Sequence, residues 1–151
     1  MEQNMSIGRP THIMGFADAV QNVLMNNYTN FEGRASRSEY WWFALFNLIV
    51  NIVTFVIDST LGTMITYDTG YVGFIALLAL LLPSLSVSVR RLHDLGKSGW
   101  WLLIAIIPIV NFIGIFVIIV FTLMEGEEQP NQYGEVPTNT LEQGGNVYTN
   151  Y

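Results

Sequence analysis

Apolar residues in this chain fall into three long blocks between Tyr40 and Met124, and both ends are polar. The blocks run over about 40–57, 72–89 and 100–124. At about 1.5 Å rise per residue the two shorter ones extend about 27 Å, close to a hydrocarbon core of about 30 Å. The pattern therefore predicts an all-α membrane protein with three transmembrane helices. The third block contains Pro108, with Asn111 and Gly114 close behind, so a tilt or bend is expected there. Dividing it at Pro108 would leave a first half of only about eight residues, too short to cross.

Ahead of these blocks, Ile13, Phe16, Val20, Val23 and Leu24 recur at helical spacing and predict a short amphipathic helix within 11–28. It carries Asp18 and no Lys or Arg. Its apolar face is expected to sink into lipid without electrostatic help, or to pack on the rest of the protein. The organisation expected is an N-terminal segment (1–30), a transmembrane domain (31–124) and an acidic, disordered tail (125–151) with few aliphatic residues to bury.

Charge orients this arrangement. The chain has six basic and twelve acidic residues, a net charge of −6, which argues against nucleic acid as a partner. Arg9, Arg34 and Arg37 precede the first block, Arg90, Arg91 and Lys97 separate the second from the third, and neither 58–70 nor the tail has any. Three crossings place every basic residue on one side, which the positive-inside rule makes cytoplasmic. The amino terminus is then inside a plasma (inner) membrane and the carboxyl terminus outside. The inner side holds six basic and five acidic residues, and the outer side seven acidic. Trp41, Trp42, Trp100 and Trp101 mark the inner boundary and Tyr67 and Tyr71 the outer, as amphipathic rings at headgroup level do. No removable signal sequence is expected, so the first span serves for insertion. With no cysteine and only His12 and His93 as imidazoles, neither a metal site nor a cofactor is expected.

Two segments carry the candidate chemistry. In the first, Phe31 to Trp42, Ser36 and Glu39 have the spacing of a capping box, while Arg34 and Arg37 supply charge. In the second, Arg90 to Trp101, Arg90 ends the apolar run, because a centred arginine costs about 2.5–3.5 kcal/mol on insertion scales. One further helical turn would put Arg90, His93, Asp94 and Lys97 on one face, with Gly96 ending the helix and Ser98 capping the next. The triplet Gly96-Lys97-Ser98 is no phosphate loop, since Arg91 stands where that motif needs glycine. His93 and Asp94 are adjacent and face apart on a helix, a poor acid/base pair.

Together Arg34, Arg37, Glu39, Arg90, Arg91, His93, Asp94 and Lys97 form a belt at one membrane face. It reads as a salt-bridged frame for the loops, as a site for anionic lipid headgroups or a membrane partner, or as both. Inside the first span Asn47, Asn51 and Thr54 form a polar stripe leading towards Asp58. Interhelical bonds with Ser84 and Ser88 would satisfy it, and a hydrated pathway is the alternative. The leading expectation is a non-enzymatic membrane protein acting through the basic belt. The alternatives are an oligomeric transporter or channel component built on the stripe, and a membrane enzyme using His93 and Asp94.

Three motifs carry a family resemblance: Phe31-Glu32-Gly33-Arg34-Ala35-Ser36-Arg37-Ser38-Glu39-Tyr40-Trp41; Arg90-Arg91-Leu92-His93-Asp94 with Gly96-Lys97-Ser98-Gly99-Trp100; and Pro130-Asn131-Gln132-Tyr133-Gly134 followed by Pro137. Over about 20–137 the chain resembles the domain of unknown function 805 family, small prokaryotic membrane proteins. Gln129 and Val136 depart from that family's usual glycine and aspartate. The resemblance implies a multi-pass membrane protein and carries no established activity.

Overall fold

The computed structural model describes residues 14–105, 107, 108 and 110–137. Arg9, His12, Ile13 and the end of the tail lie outside that range. The described residues contain only helices, turns and two isolated bridges. Helix α1 (Phe16–Gln21) runs into a π-helical turn (Asn22–Asn26), followed by α2 (Arg37–Leu61) and α3 (Tyr71–Asp94). A 3-10 helix (Gly99–Ala105) and α4 (Asn111–Leu123) complete the order.

Helices α2 and α3 have 25 and 24 residues and are long and apolar enough to cross a membrane. They form an antiparallel hairpin whose distribution of polarity is inverted relative to a water-soluble core. Leu48, Ile52, Val56, Ile75, Leu78 and Leu82 are exposed, while Arg34, Glu39, Arg90, Arg91 and Asp94 are buried. So large an apolar surface fits lipid as its solvent. A small apolar cluster of Val23, Ala35, Phe43 and Val87 seats the π-helical turn against the hairpin. Phe16 stacks edge-on against Trp42 at 5.9 Å, so the described part of the amphipathic segment packs on protein.

The hairpin turn is built around Asp58. Its carboxylate accepts from the amides of Val72 (3.1 Å) and Gly73 (2.8 Å) and from the Thr63 hydroxyl (2.6 Å), capping α3 from the end of α2. A Cβ on Gly70 would overlap the Asp58 side chain, so glycine is required there for the approach. Within α3, Pro83 has no N–H to offer the carbonyl of Ala79 one turn earlier. The Tyr28 hydroxyl donates to that carbonyl instead.

The third apolar block departs from the expected crossing. It is broken into a seven-residue 3-10 helix and the 13-residue α4, about 20 Å long, too short to cross about 30 Å of hydrocarbon. Both of its ends meet the last turns of α3. A Cβ on Gly99 would stand 2.8 Å from Val89 Cγ1, and the Thr122 carbonyl accepts from Arg91 Nε at 3.3 Å. The chain therefore turns around near Pro108 and comes back, with Gly114 laid so closely on Ile104 that a Cβ would strike its carbonyl. The physical reason is the pair Pro108 and Gly114: one breaks the helical ladder and the other lets two backbones touch.

Candidate functional site

The end of the hairpin where α2 starts and α3 stops gathers the belt residues. Ser36 caps α2 by accepting from the Glu39 amide at 3.2 Å, as the spacing predicts. The reciprocal half of the box does not form as expected. The Glu39 carboxylate turns inward, accepting from Arg90 Nη2 at 2.7 Å and from Asn22 Nδ2 at 3.1 Å. Asn22 in turn takes bonds from Asn26 and Asn27, so the asparagines of the π-helical turn and its end are linked to Glu39. Ser86 Oγ stands 2.8 Å and 2.6 Å from the carbonyls of Asn27 and Asn30, tying this loop to α3.

Asp94 sits at the centre of a second group. Arg34 approaches it through Nε (3.1 Å) and Nη2 (3.0 Å), and Arg91 bonds its other oxygen from one turn earlier in α3. The side chains of all three have zero exposure. Their other bonds go to main-chain carbonyls, those of Asp94 (from Arg34) and Ala35 (from Arg91), each at 3.4 Å, and several at the end of α4 and in the segment after it. Arg34 donates to Gln129 (2.7 Å), Gly134 (3.4 Å) and Glu127, while Arg91 donates to Met124 and Thr122. Trp41 Nε1 reaches the same Thr122 carbonyl at 3.3 Å. The Glu127 amide bonds the Asp94 carbonyl at 2.8 Å.

His93 completes the seam. Its Nδ1 donates to the Gly33 carbonyl at 3.0 Å, and its ring lies flat on Tyr133 with centroids 3.9 Å apart. Asn131 Nδ2 reaches both the His93 carbonyl (2.9 Å) and Glu127 (2.7 Å). The imidazole is thus directed away from the Asp94 carboxylate, which two arginines already occupy. Gly96, at φ 66°, ends α3 as predicted and leaves room for Glu127 alongside.

Two belt residues stand apart from this buried group. Arg37 pairs with Glu125 at 3.0 Å, with side chains 48% and 73% exposed, and Lys97 Nζ lies 5.0 Å from the Phe121 ring centroid. The described part of the tail, to Pro137, therefore lies at the same end as Arg34 and Arg37. That differs from the expectation of a disordered segment across the membrane from them, because arginine donors buried from water need acceptors and the returning backbone provides them. Of the belt residues that the sequence singles out, Arg34, Glu39, Arg90, Arg91, His93 and Asp94 come together at this end. Asn22, Asn131 and Tyr133 are not among those it singles out, although the last two stand in a quoted motif.

The sequence profile of the family described as "Protein of unknown function (DUF805)" matches residues 28–135, which contain the buried Arg34, Glu39, Arg90, Arg91 and Asp94. The chain belongs to this family. It is similar to the "Inner membrane protein YhaI" of Escherichia coli K12, 42% identical over 114 residues, covering 76% of this chain and 91% of that protein. The "Inner membrane protein YhaH" of the same organism is 40% identical over 114 residues, covering 76% and 92%. No solved structure matches. These relatives place this DUF805 chain among inner membrane proteins, in agreement with the two span-length helices and their exposed apolar surface.

Proposed function

We propose that the protein is a non-enzymatic inner-membrane component that acts through the face made by the docked segment 124–137, and that this face receives a protein partner. Because Arg34, Arg37, Arg90, Arg91 and Lys97 all lie at this end, the positive-inside rule assigns it to the cytoplasm. On that reading α2 and α3 span, the block from Gly99 to Leu123 is re-entrant, and residue 137 is inside.

The observation that carries the choice of partner is the complete burial of Arg34 and Arg91 under the chain's own carbonyls. An arginine that grips a headgroup phosphate needs free N–H donors, and here the backbone has them. Docking of the tail also changes the charge of the face. Among the described residues the five basic ones are met there by Asp18, Glu32, Glu39, Asp94, Glu125, Glu127, Glu128 and Glu135, a net acidic set unsuited to an anionic leaflet. Glu128, Gln129, Gln132 and Glu135 are exposed on the docked segment and are available to a partner.

A narrower lipid reading rests on Arg37, half exposed beside Trp41 and Trp42, with Lys97. A photo-crosslinking residue at Gln132 in cells separates the two. We expect a discrete protein adduct that disappears when Glu128 and Glu135 are changed to Lys, with membrane insertion unchanged. Anionic phospholipid retained in stoichiometric amount and lost on neutralising Arg37 and Lys97, with no protein adduct, would overturn the proposal.

A further inference from the structure

We infer that the uncovered part of the polar stripe of α2, Asn51 with half-buried Asn47 beside it, is the contact between two copies of this chain, while Thr54 is buried and bonds the Asn51 carbonyl. Asn51 lies within the 25-residue α2, about 21 Å along the axis from Arg37 and about 15 Å from Leu61, near the middle of the hydrocarbon. Its side chain is exposed, and its neighbours Leu48, Ile52 and Phe55 are lipid-facing. The expected bonds to α3 do not form. Asn47 Nδ2 donates back to the Phe43 carbonyl (3.0 Å) and Asn51 Nδ2 to the Asn47 carbonyl (2.8 Å), while Ser88 returns to Ser84. Asn51 Oδ1 accepts no hydrogen bond from a described residue, and one Nδ2 proton is left over.

Acyl chains satisfy neither group, so a carboxamide facing lipid carries the desolvation penalty of an unmade bond. A second carboxamide satisfies both. Each Asn has a donor and an acceptor, so two copies of Asn51 related by a two-fold axis exchange a pair of bonds, the isologous arrangement of a C2 dimer. The surface beside it allows close approach. Asn47, Asn51, Ala76, Leu80 and Ser84 border a cleft of about 100 Å³ between α2 and α3. Such a volume falls well below the about 300–1,000 Å³ of ordinary small-molecule sites, which favours a packing seat over a solute site.

The chain has no cysteine, which makes the test direct. Asn51→Cys and Val53→Cys, the latter exposed on the opposite side of α2, are each oxidised in native membranes. We expect a covalent dimer from Asn51→Cys and none from Val53→Cys. In bilayer discs, Asn51→Leu should weaken the dimer of the otherwise unchanged chain by about three- to eighteen-fold for each hydrogen bond lost. Equal cross-linking at both positions, or a monomer at every concentration, overturns the inference. So does labelling of a monomeric Asn51→Cys by a water-soluble thiol reagent, which would make the stripe a hydrated crevice.

Discussion

Replacing Arg34 by Ala should release the segment 124–137 while leaving the two long helices in the membrane. The substitution removes a guanidinium of zero exposure and strips Asp94 of one of its two arginines. It also leaves the carbonyls of Glu127, Gln129 and Gly134 without that donor. Breaking a buried ion pair by deleting one partner costs about 3–5 kcal/mol, a shift of about 10²- to 10³·⁷-fold in the docking equilibrium. The helical hairpin does not depend on Arg34, since α2 is capped by Ser36 and α3 by Asp58. A spin label on a cysteine at Gln132, exposed in the docked segment, reads the release as increased mobility. Arg34→Lys should fall between, because an ammonium keeps the charge but cannot fork between carboxylate and carbonyls. An unaltered spectrum in Arg34→Ala, with the protein still inserted, would refute the claim that the arginine holds the tail.

Three further outcomes follow from other parts of the fold. Cysteines at Tyr67 and Gln132 should label from opposite sides of the membrane, whereas three crossings would put both on the same side. Gly114→Ala should separate α4 from Ile104 and destabilise by about 1–3 kcal/mol, read as a lower unfolding midpoint in detergent. Tyr28→Phe should cost about 1–3 kcal/mol by orphaning the Ala79 carbonyl, and the loss should largely vanish in a Pro83→Ala background, where an amide returns to that carbonyl. A full loss in both backgrounds would show that the Tyr28 hydroxyl does not act through the carbonyl that Pro83 leaves open.

Much of this was legible in the sequence where the signal is local. Ser36 and Gly96 mark helix ends by their position and chemistry, and the first two apolar blocks have the length that a span needs. Direction is not a local property. Hydropathy scores the block 100–124 identically whether it crosses or turns back, and Pro108 with Gly114 decides only once Ile104 is known to lie opposite. The buried arginines pose a related problem. Arg34 and Arg91 are conspicuous, but most of their acceptors are main-chain carbonyls that every residue possesses, so no side-chain pattern announces where the tail will dock. The stripe of Asn47 and Asn51 was visible, yet its bonds go back along its own helix instead of across to α3.

The seam between Arg91 and the segment ending at Gly134 also sets an order of assembly. Arg34 and Arg91 leave the ribosome well before the tail carbonyls that they bond. At about 5–20 residues per second, the stretch from Arg91 to Gly134 takes about two to nine seconds to synthesise. Through that interval the hairpin is already capped by Asp58, while at its other end Arg34 and Arg91 have Asp94 between them and await only the tail carbonyls. A chain cut short before the segment after α4 keeps both guanidinium groups on Asp94 but leaves their tail-directed N–H donors without carbonyls, so this end of it differs chemically from that of a finished copy.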